Sequence, residues 1–175
     1  DQARYDEALL AFTKARDLNP SNARYHHAIG STLAETGRHR EAIPHYKNAL
    51  NQDLANGSSL YNLGYSYREL GDLDTALQYY RQTINLGADS VPKAAFALAR
   101  IQAQKIKLRG ACDPNAAEAK DALWALSVMI ERGGEYWARV LLGSIPRRGA
   151  DQLQPLRQCA EFSTIEQAAR KKIDT

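Results

Sequence analysis

The chain has 175 residues, of which 44% are hydrophobic and 25% charged, and it carries a formal net charge of +3. These proportions are ordinary for a globular domain, and the length suffices for a well-buried core. No apolar run approaches the roughly 20 residues that a membrane span needs, so we predict no membrane insertion.

The first 90 residues show a sequence repeat with a period of 34 residues. Segment 1–20 has the pattern of the second helix of a truncated unit, and two complete helix–turn–helix units follow over 23–56 and 57–90. Each complete unit has two apolar stripes of helical period, separated by a turn that contains glycine. Small and aromatic residues recur 34 positions apart: Gly30 and Gly64, Ala42 and Ala76, Tyr46 and Tyr80.

This register resembles that of the tetratricopeptide repeat family over about residues 1–90. The resemblance implies an all-α fold, a right-handed α-solenoid of antiparallel helix pairs. Glycine inside a helix costs about 1 kcal/mol relative to alanine, so we expect its helix to approach a neighbour too closely for a side chain. The residues expected to hold the helix pairs together are Gly30, Ala42, Gly64, Tyr67, Ala76 and Tyr80.

Beyond residue 90 the register decays into irregular helices. Residues 91–147 are typical of degenerate repeat-like helices, with one helix ending and the next beginning at the glycine pair 133–134. Residues 148–175 are expected to form helices that cap the array. Asp113 with Pro114 is typical of a helix start, and Ser163 with Glu166 predicts a capping box.

The chain lacks the common sequence motifs of catalysis, since GxxxxGK[ST], GxGxxG, HExxH and GxSxG are all missing. We therefore expect no enzyme and no cofactor. The four histidines lie in one repeat, but the helix assignment points them in different directions, so we predict no metal site. These are His26, His27, His39 and His45.

The two cysteines, Cys112 and Cys159, exclude a disulfide-rich scaffold. They are either joined in a disulfide that closes a long loop or are two inert thiols. Catalytic use is not expected, because residues 91–175 contain no histidine partner.

Charge is unevenly distributed along the chain. Residues 1–90 hold 9 Lys and Arg against 11 Asp and Glu, whereas residues 91–175 hold 14 against 9. The basic residues of the second half are scattered, apart from one pair at 147–148 and one triplet at 170–172. Without a basic stripe interleaved with aromatics, this pattern indicates a solvated helical surface rather than a nucleic-acid site.

In the resembled family, partners bind on the concave side of the array, which the first helix of each repeat lines. Asn62 can donate and accept hydrogen bonds at once, which matches a peptide unit, and Tyr61 and Tyr65 share one helix face. The alternative is that these tyrosines only pack against the preceding repeat. The candidate partner-binding residues are Arg24, His27, Ser31, Tyr61, Asn62, Tyr65, Arg68 and Phe96.

One family subtype grips the C-terminal carboxylate of cytosolic heat-shock chaperones with two lysines, an arginine and two asparagines. This chain matches that set at Asn62 alone, and no cation remains to hold the carboxylate. The corresponding residues are His27, Ser31, Asn62, Pro92 and Phe96. This function is not expected here.

The sequence thus predicts a non-enzymatic module that recruits a protein or peptide segment through its concave groove. The alternative is a structural spacer or homo-oligomerisation element of a larger protein, such as a bacterial envelope or secretion assembly. The residues leave the compartment open between cytoplasm and, in a bacterium, periplasm or outer membrane. Because the sequence opens inside a helical pattern, we expect further residues to precede it.

Overall fold

The computed structural model describes residues 2–87, 89–110, 112–113, 115–143, 150–159 and 161–174. Over these ranges the chain is all-α, with eight α-helices, one 3₁₀ helix and no strand. It divides into two compact units, Asp1–Ala88 and Asp89–Thr175. The elements are α1 (Gln2–Leu18), α2 (Ala23–Glu35), α3 (His39–Gln52), α4 (Gly57–Glu69), α5 (Leu73–Leu86), α6 (Val91–Arg109), α7 (Ala117–Leu141), the 3₁₀ helix (Ala150–Gln158) and α8 (Phe162–Ile173).

In the first unit, α2 pairs with α3 and α4 with α5, while α1 packs on α2 and α3 on α4. The caps repeat with the sequence period: Asn22 and Asn56 each accept a hydrogen bond from a backbone N–H in the first turn of α2 and α4. Gly37 and Gly71 form the turns within the pairs, with φ of +78° and +84°. A positive φ favours glycine, so the chain reverses where the sequence provides one.

In each helix pair a glycine of the first helix faces a tyrosine of the second. A Cβ atom at Gly30 would lie 2.8 Å from the Tyr46 ring, and one at Gly64 would lie 2.7 Å from the Tyr80 ring. Both tyrosines are fully buried, at 1% and 0% exposed. The rings therefore occupy the space that a side chain would need, and packing is the reason for both glycines.

Apolar side chains surround these contacts in the first unit. The buried cluster consists of Ile29, Leu33, Ala42, Tyr46 and Leu63. Ala76 is equally buried, at 0% exposed. Tyr67 is only half-buried and stacks on Tyr79, with ring centroids 5.5 Å apart. Tyr67 therefore joins α4 to α5 from the edge of the core.

The second unit is built around α6 and α7, which pack along each other. The 3₁₀ helix packs on α6, and α8 packs on α7. Within α7, Gly134 leaves the helical conformation at φ +62°, ψ −156°, so two helical stretches meet at this residue. The predicted helix break is thus found at Gly134, although the two stretches follow each other without a loop.

The predicted start of α7 is wrong. The helix begins at Ala117, and the Asp113 side chain instead accepts a hydrogen bond from the Asn115 N–H at 2.9 Å. Asp113 thus stabilises a turn that precedes the helix, as an aspartate can. Pro114 lies outside the described residues, as does the basic pair at 147–148.

The predicted capping box of α8 is also wrong. The helix begins at Phe162, so Ser163 is already inside it, and the N-cap residue Glu161 makes no side-chain capping bond. Glu166 instead accepts a hydrogen bond from Arg157 of the 3₁₀ helix at 2.7 Å. The Glu166 carboxylate thus forms an ion pair between α8 and the 3₁₀ helix instead of capping α8.

The described helices include no segment that is both long and apolar enough to cross a bilayer.

Candidate partner-binding face

Seven of the candidate residues lie on the first helices of the two complete repeats, and we call this surface the α2/α4 face. Its residues are Arg24, His27, Ser31, Tyr61, Asn62, Tyr65 and Arg68. The matched caps and turns set α2 and α4 side by side, with α3 behind them.

A polar network joins α2 to α4 at the centre of this face. Asn62 Nδ2 and the Tyr46 hydroxyl each donate to Ser31 Oγ, both at 3.4 Å. The His27 ring lies against the same group, with Nε2 3.4 Å from Ser31 Oγ, and its Nδ1 is 2.9 Å from Ser59 Oγ. Three predicted residues, His27, Ser31 and Asn62, are therefore brought into one network.

Both ring nitrogens of His27 thus have a serine hydroxyl as a hydrogen-bond partner, Ser31 at Nε2 and Ser59 at Nδ1, and a neutral imidazole can donate to one and accept from the other. Burial lowers the pKa of His27 below its ordinary 6.5, which favours this neutral form. The centre of the face is thus polar but uncharged at neutral pH.

Tyr65 and Arg68 form a second cluster on α4. The Arg68 guanidinium lies 4.8 Å from the centre of the Tyr65 ring, and Glu69 accepts from Arg68 Nη2 at 2.6 Å. The His39 ring meets Tyr65 edge to face, with centroids 5.5 Å apart. Tyr65 is half-buried. The ring is therefore held between two neighbours while part of its surface stays accessible.

The remaining candidates differ in accessibility. Arg24 is exposed, and Tyr61 is half-buried with its ring 5.8 Å from that of Tyr80. Phe96, in the second unit, is 3% exposed and packs on Trp137 at 5.4 Å between ring centroids. Its assignment to a partner-binding surface is wrong, because so buried a ring offers nothing to a partner.

Sequence reasoning missed two polar groups that complete the face. Ser59 and the Tyr46 hydroxyl belong to the central network. Ser59 is 0% exposed on the buried side of α4, among residues that include Leu60 and Leu63. A small polar residue at such a position needs a hydrogen-bond partner, and that requirement was the available signal.

The other histidines do not assemble a metal site. His26 and His45 face each other across α2 and α3 with ring centroids 5.7 Å apart, while His27 and His39 contact Ser59 and Tyr65. In the part of the chain that the structure describes, no three metal-ligating side chains converge. Burial, the mutual repulsion of the two rings and Arg16 lower the pKa of His45, and burial with Arg16 lowers that of His26.

The structure pairs Cys112 with Cys159 as a disulfide, with the Cα atoms 5.5 Å apart. The bond links the segment after α6 to the residue after the 3₁₀ helix. Of the two alternatives for these cysteines, the geometry favours the disulfide.

The stacked helix pairs and the shared surface of their first helices define a helical-repeat scaffold protein. Residues 25–89 match the family model of the tetratricopeptide repeat. The predicted resemblance to the tetratricopeptide repeat family is thus confirmed over residues 25–89, and such repeats are typical of protein-interaction scaffolds.

Curated relatives match half of the chain. It is 34% identical over 90 residues to Hsc70-interacting proteins 1 and 2 of Drosophila melanogaster, covering 50% of this chain and 23% of each relative. Protein bimA of Emericella nidulans is 30% identical over 90 residues, covering 49% of this chain and 10% of the relative. The match thus spans less than a quarter of the length of these relatives.

Solved structures of similar fold cover nearly all of the chain. MamA protein superposes with a TM-score of 0.65 at 19% identity, covering 99% of this chain and 85% of that one. YrrB, described as a TPR protein with an unusual peptide-binding site, gives a TM-score of 0.58 at 19% identity, covering 97% and 84%. The predicted fold class, an α-solenoid of antiparallel helix pairs, is confirmed.

Proposed function

We propose that the first unit is a non-enzymatic scaffold that recruits an extended peptide segment on the α2/α4 face. The observation that carries this proposal is the network in which Asn62 and Ser31 meet at the surface between two repeats. A backbone amide presents one donor and one acceptor, and the Asn62 carboxamide offers the complementary pair.

The hydrogen bond between Asn62 and Ser31 can be broken at a small cost in free energy when a ligand binds Asn62. Its bond to Ser31 is 3.4 Å long, well beyond the 2.9–3.0 Å typical of N–H···O bonds, and is therefore weak. A peptide amide that binds Asn62 at shorter distance would replace a poor hydrogen bond with a better one. Ser31 keeps the Tyr46 hydroxyl as a donor after that exchange.

Tyr65 supplies the apolar part of the proposed site. Its ring is held by His39 and Arg68, so little side-chain freedom is lost when a ligand packs on it. Aromatic residues with accessible area are common binding hot spots. Arg68 is already paired with Glu69, which makes the cluster suited to a peptide side chain rather than to a strong anion.

We expect the partner protein to bind through an internal segment rather than through its C-terminal carboxylate. The Drosophila relatives are named for an interaction with Hsc70. This chain has uncharged His27 and Ser31 where the carboxylate-gripping members of the family carry binding residues. An uncharged network suits the neutral amides of an extended backbone better than a terminal carboxylate.

Selection from a random peptide library on the full chain would supply a ligand, and calorimetric titration would measure its affinity. We expect Asn62→Ala and Tyr65→Ala each to weaken binding by about tenfold or more. Gln78→Ala, at an exposed position of α5, is the matched control and should bind as the wild type does. Wild-type affinity in both Asn62→Ala and Tyr65→Ala would contradict the proposal.

A second outcome is that no peptide is selected and light scattering shows a stable oligomer. The chain would then be a structural spacer or oligomerisation element rather than a peptide-recruiting scaffold.

A further inference from the structure

The second unit contains a cleft of about 670 Å³ between α6 and the 3₁₀ helix. Glutamine is its most frequent lining residue, and each glutamine carboxamide both donates and accepts hydrogen bonds. The glutamines are Gln104, Gln152, Gln154 and Gln158. Ile106 and Pro155 add the apolar part of the wall.

Contacts from outside the cleft hold two residues of the 3₁₀ wall in place. Arg100 on α6 donates to Gln152 Oε1 through Nε at 2.9 Å and Nη2 at 2.7 Å, which leaves the Gln152 NH₂ group unpaired among the described residues. Arg157 is fixed by Glu166 at 2.7 Å and by the Leu141 carbonyl at 3.3 Å. Gln152 and Arg157 therefore lose little freedom when the cleft binds a ligand.

The charges in the cleft point to the class of ligand. Lys107 and Asp151 line it, and neither has an ion pair among the described residues. Arg157 also lines the cleft but is paired with Glu166, so of the described lining residues Lys107 is the cation that a ligand carboxylate can pair with. No aromatic ring among its described lining residues offers a stacking surface for a base or a sugar.

We propose that this cleft binds an extended peptide segment, with an acidic side chain of that segment paired to Lys107. The carboxamides hold the peptide backbone, because each pairs with both the N–H and the C=O of a peptide unit. This site lies in the second unit and is separate from the α2/α4 face of the first.

The test uses the full chain with its α2/α4 face disabled by Asn62→Ala and Tyr65→Ala, so that the two proposed sites give separate results. A random dodecapeptide library is selected on this variant, and the strongest synthetic peptide is titrated against it. We expect peptides that contain Asp or Glu, and about tenfold weaker binding after Lys107→Ala. The matched control is Lys93→Ala, an exposed lysine of α6 outside the cleft, which should leave binding unchanged.

The carboxamide N–H₂ signals of the four glutamines report directly on the cleft by nuclear magnetic resonance. They should shift when the peptide is added, and the melting temperature checks that Lys107→Ala remains folded. Failure to select any peptide, or equal affinity in Lys107→Ala and Lys93→Ala, would overturn the proposal. Shifts of these signals with chitotriose and none with peptide would also overturn it, in favour of a sugar.

Discussion

Gly64→Ala tests the packing on which the repeat architecture rests. The new Cβ would lie 2.7 and 2.8 Å from two atoms of the Tyr80 ring and 3.2 Å from the Ala76 carbonyl oxygen. Carbon atoms prefer a separation of about 3.5–4.0 Å, so the ring must move by roughly 0.8 Å or more. Tyr80 is 0% exposed, so its ring cannot shift without displacing residues that pack around it.

The expected magnitude is a balance of two effects. Overpacking a core costs about 1–3 kcal/mol, whereas alanine in a helix is favoured over glycine by about 1 kcal/mol. We expect Gly64→Ala to lower the free energy of unfolding by about 1 kcal/mol, and Gly64→Leu to lower it further because more atoms enter the same space. Urea denaturation followed by circular dichroism measures both values.

Two controls separate packing from other causes. Gly64→Ala combined with Tyr80→Leu removes the ring, so the double variant should be more stable than the sum of the single changes predicts. Gly71→Ala meets no atom within 4 Å but has φ +84°, so its cost of about 1–2 kcal/mol should be independent of Tyr80. The reasoning is refuted if Gly64→Ala is as stable as the wild type or more stable.

Two further expectations concern the disulfide and pH. Replacing Cys112 by serine should lower the free energy of unfolding by about 4 kcal/mol in the loop-entropy model, since the disulfide spans 47 residues. Mass spectrometry that finds two free thiols in the unreduced protein would contradict the disulfide. The pKa of His26 and His45 is lowered, so their contribution to stability should be complete above pH 6.5 and be lost as pH falls through the lower folded-state pKa. The double variant His26→Leu, His45→Tyr carries the residues that stand 34 positions later in the repeat. The difference between its free energies of unfolding at pH 7.5 and pH 5 should be smaller than that of the wild type. An unchanged pH dependence would contradict this role of the two histidines.

The first unit was predictable from the sequence because its interactions repeat. Gly30 and Gly64 mark the helix crossings, and the same spacing places the tyrosine that faces each one. The polar network was only half predictable, since the pattern gives the helix face of Ser31 and Asn62 but not their distance from Ser59. Such cross-repeat contacts depend on how closely two helices pack, which no spacing within one helix reveals.

The second unit was less predictable because its contacts do not recur. Phe96 follows the repeat register in sequence, yet Trp137 from a distant helix covers it. Glu166 satisfies a capping pattern in sequence, yet Arg157 takes its carboxylate. In both cases a tertiary partner decides the outcome, and a single sequence does not show which distant residue that partner is.

The central claim, that the α2/α4 face binds peptide backbone through Asn62, is tested most directly by nuclear magnetic resonance of the chain with a selected peptide. The account predicts that the Asn62 carboxamide signals shift on binding and show through-space contacts to a peptide backbone proton, with the Tyr65 ring contacting a peptide side chain. Saturating peptide that leaves both the Asn62 and the Tyr65 signals unmoved would contradict it.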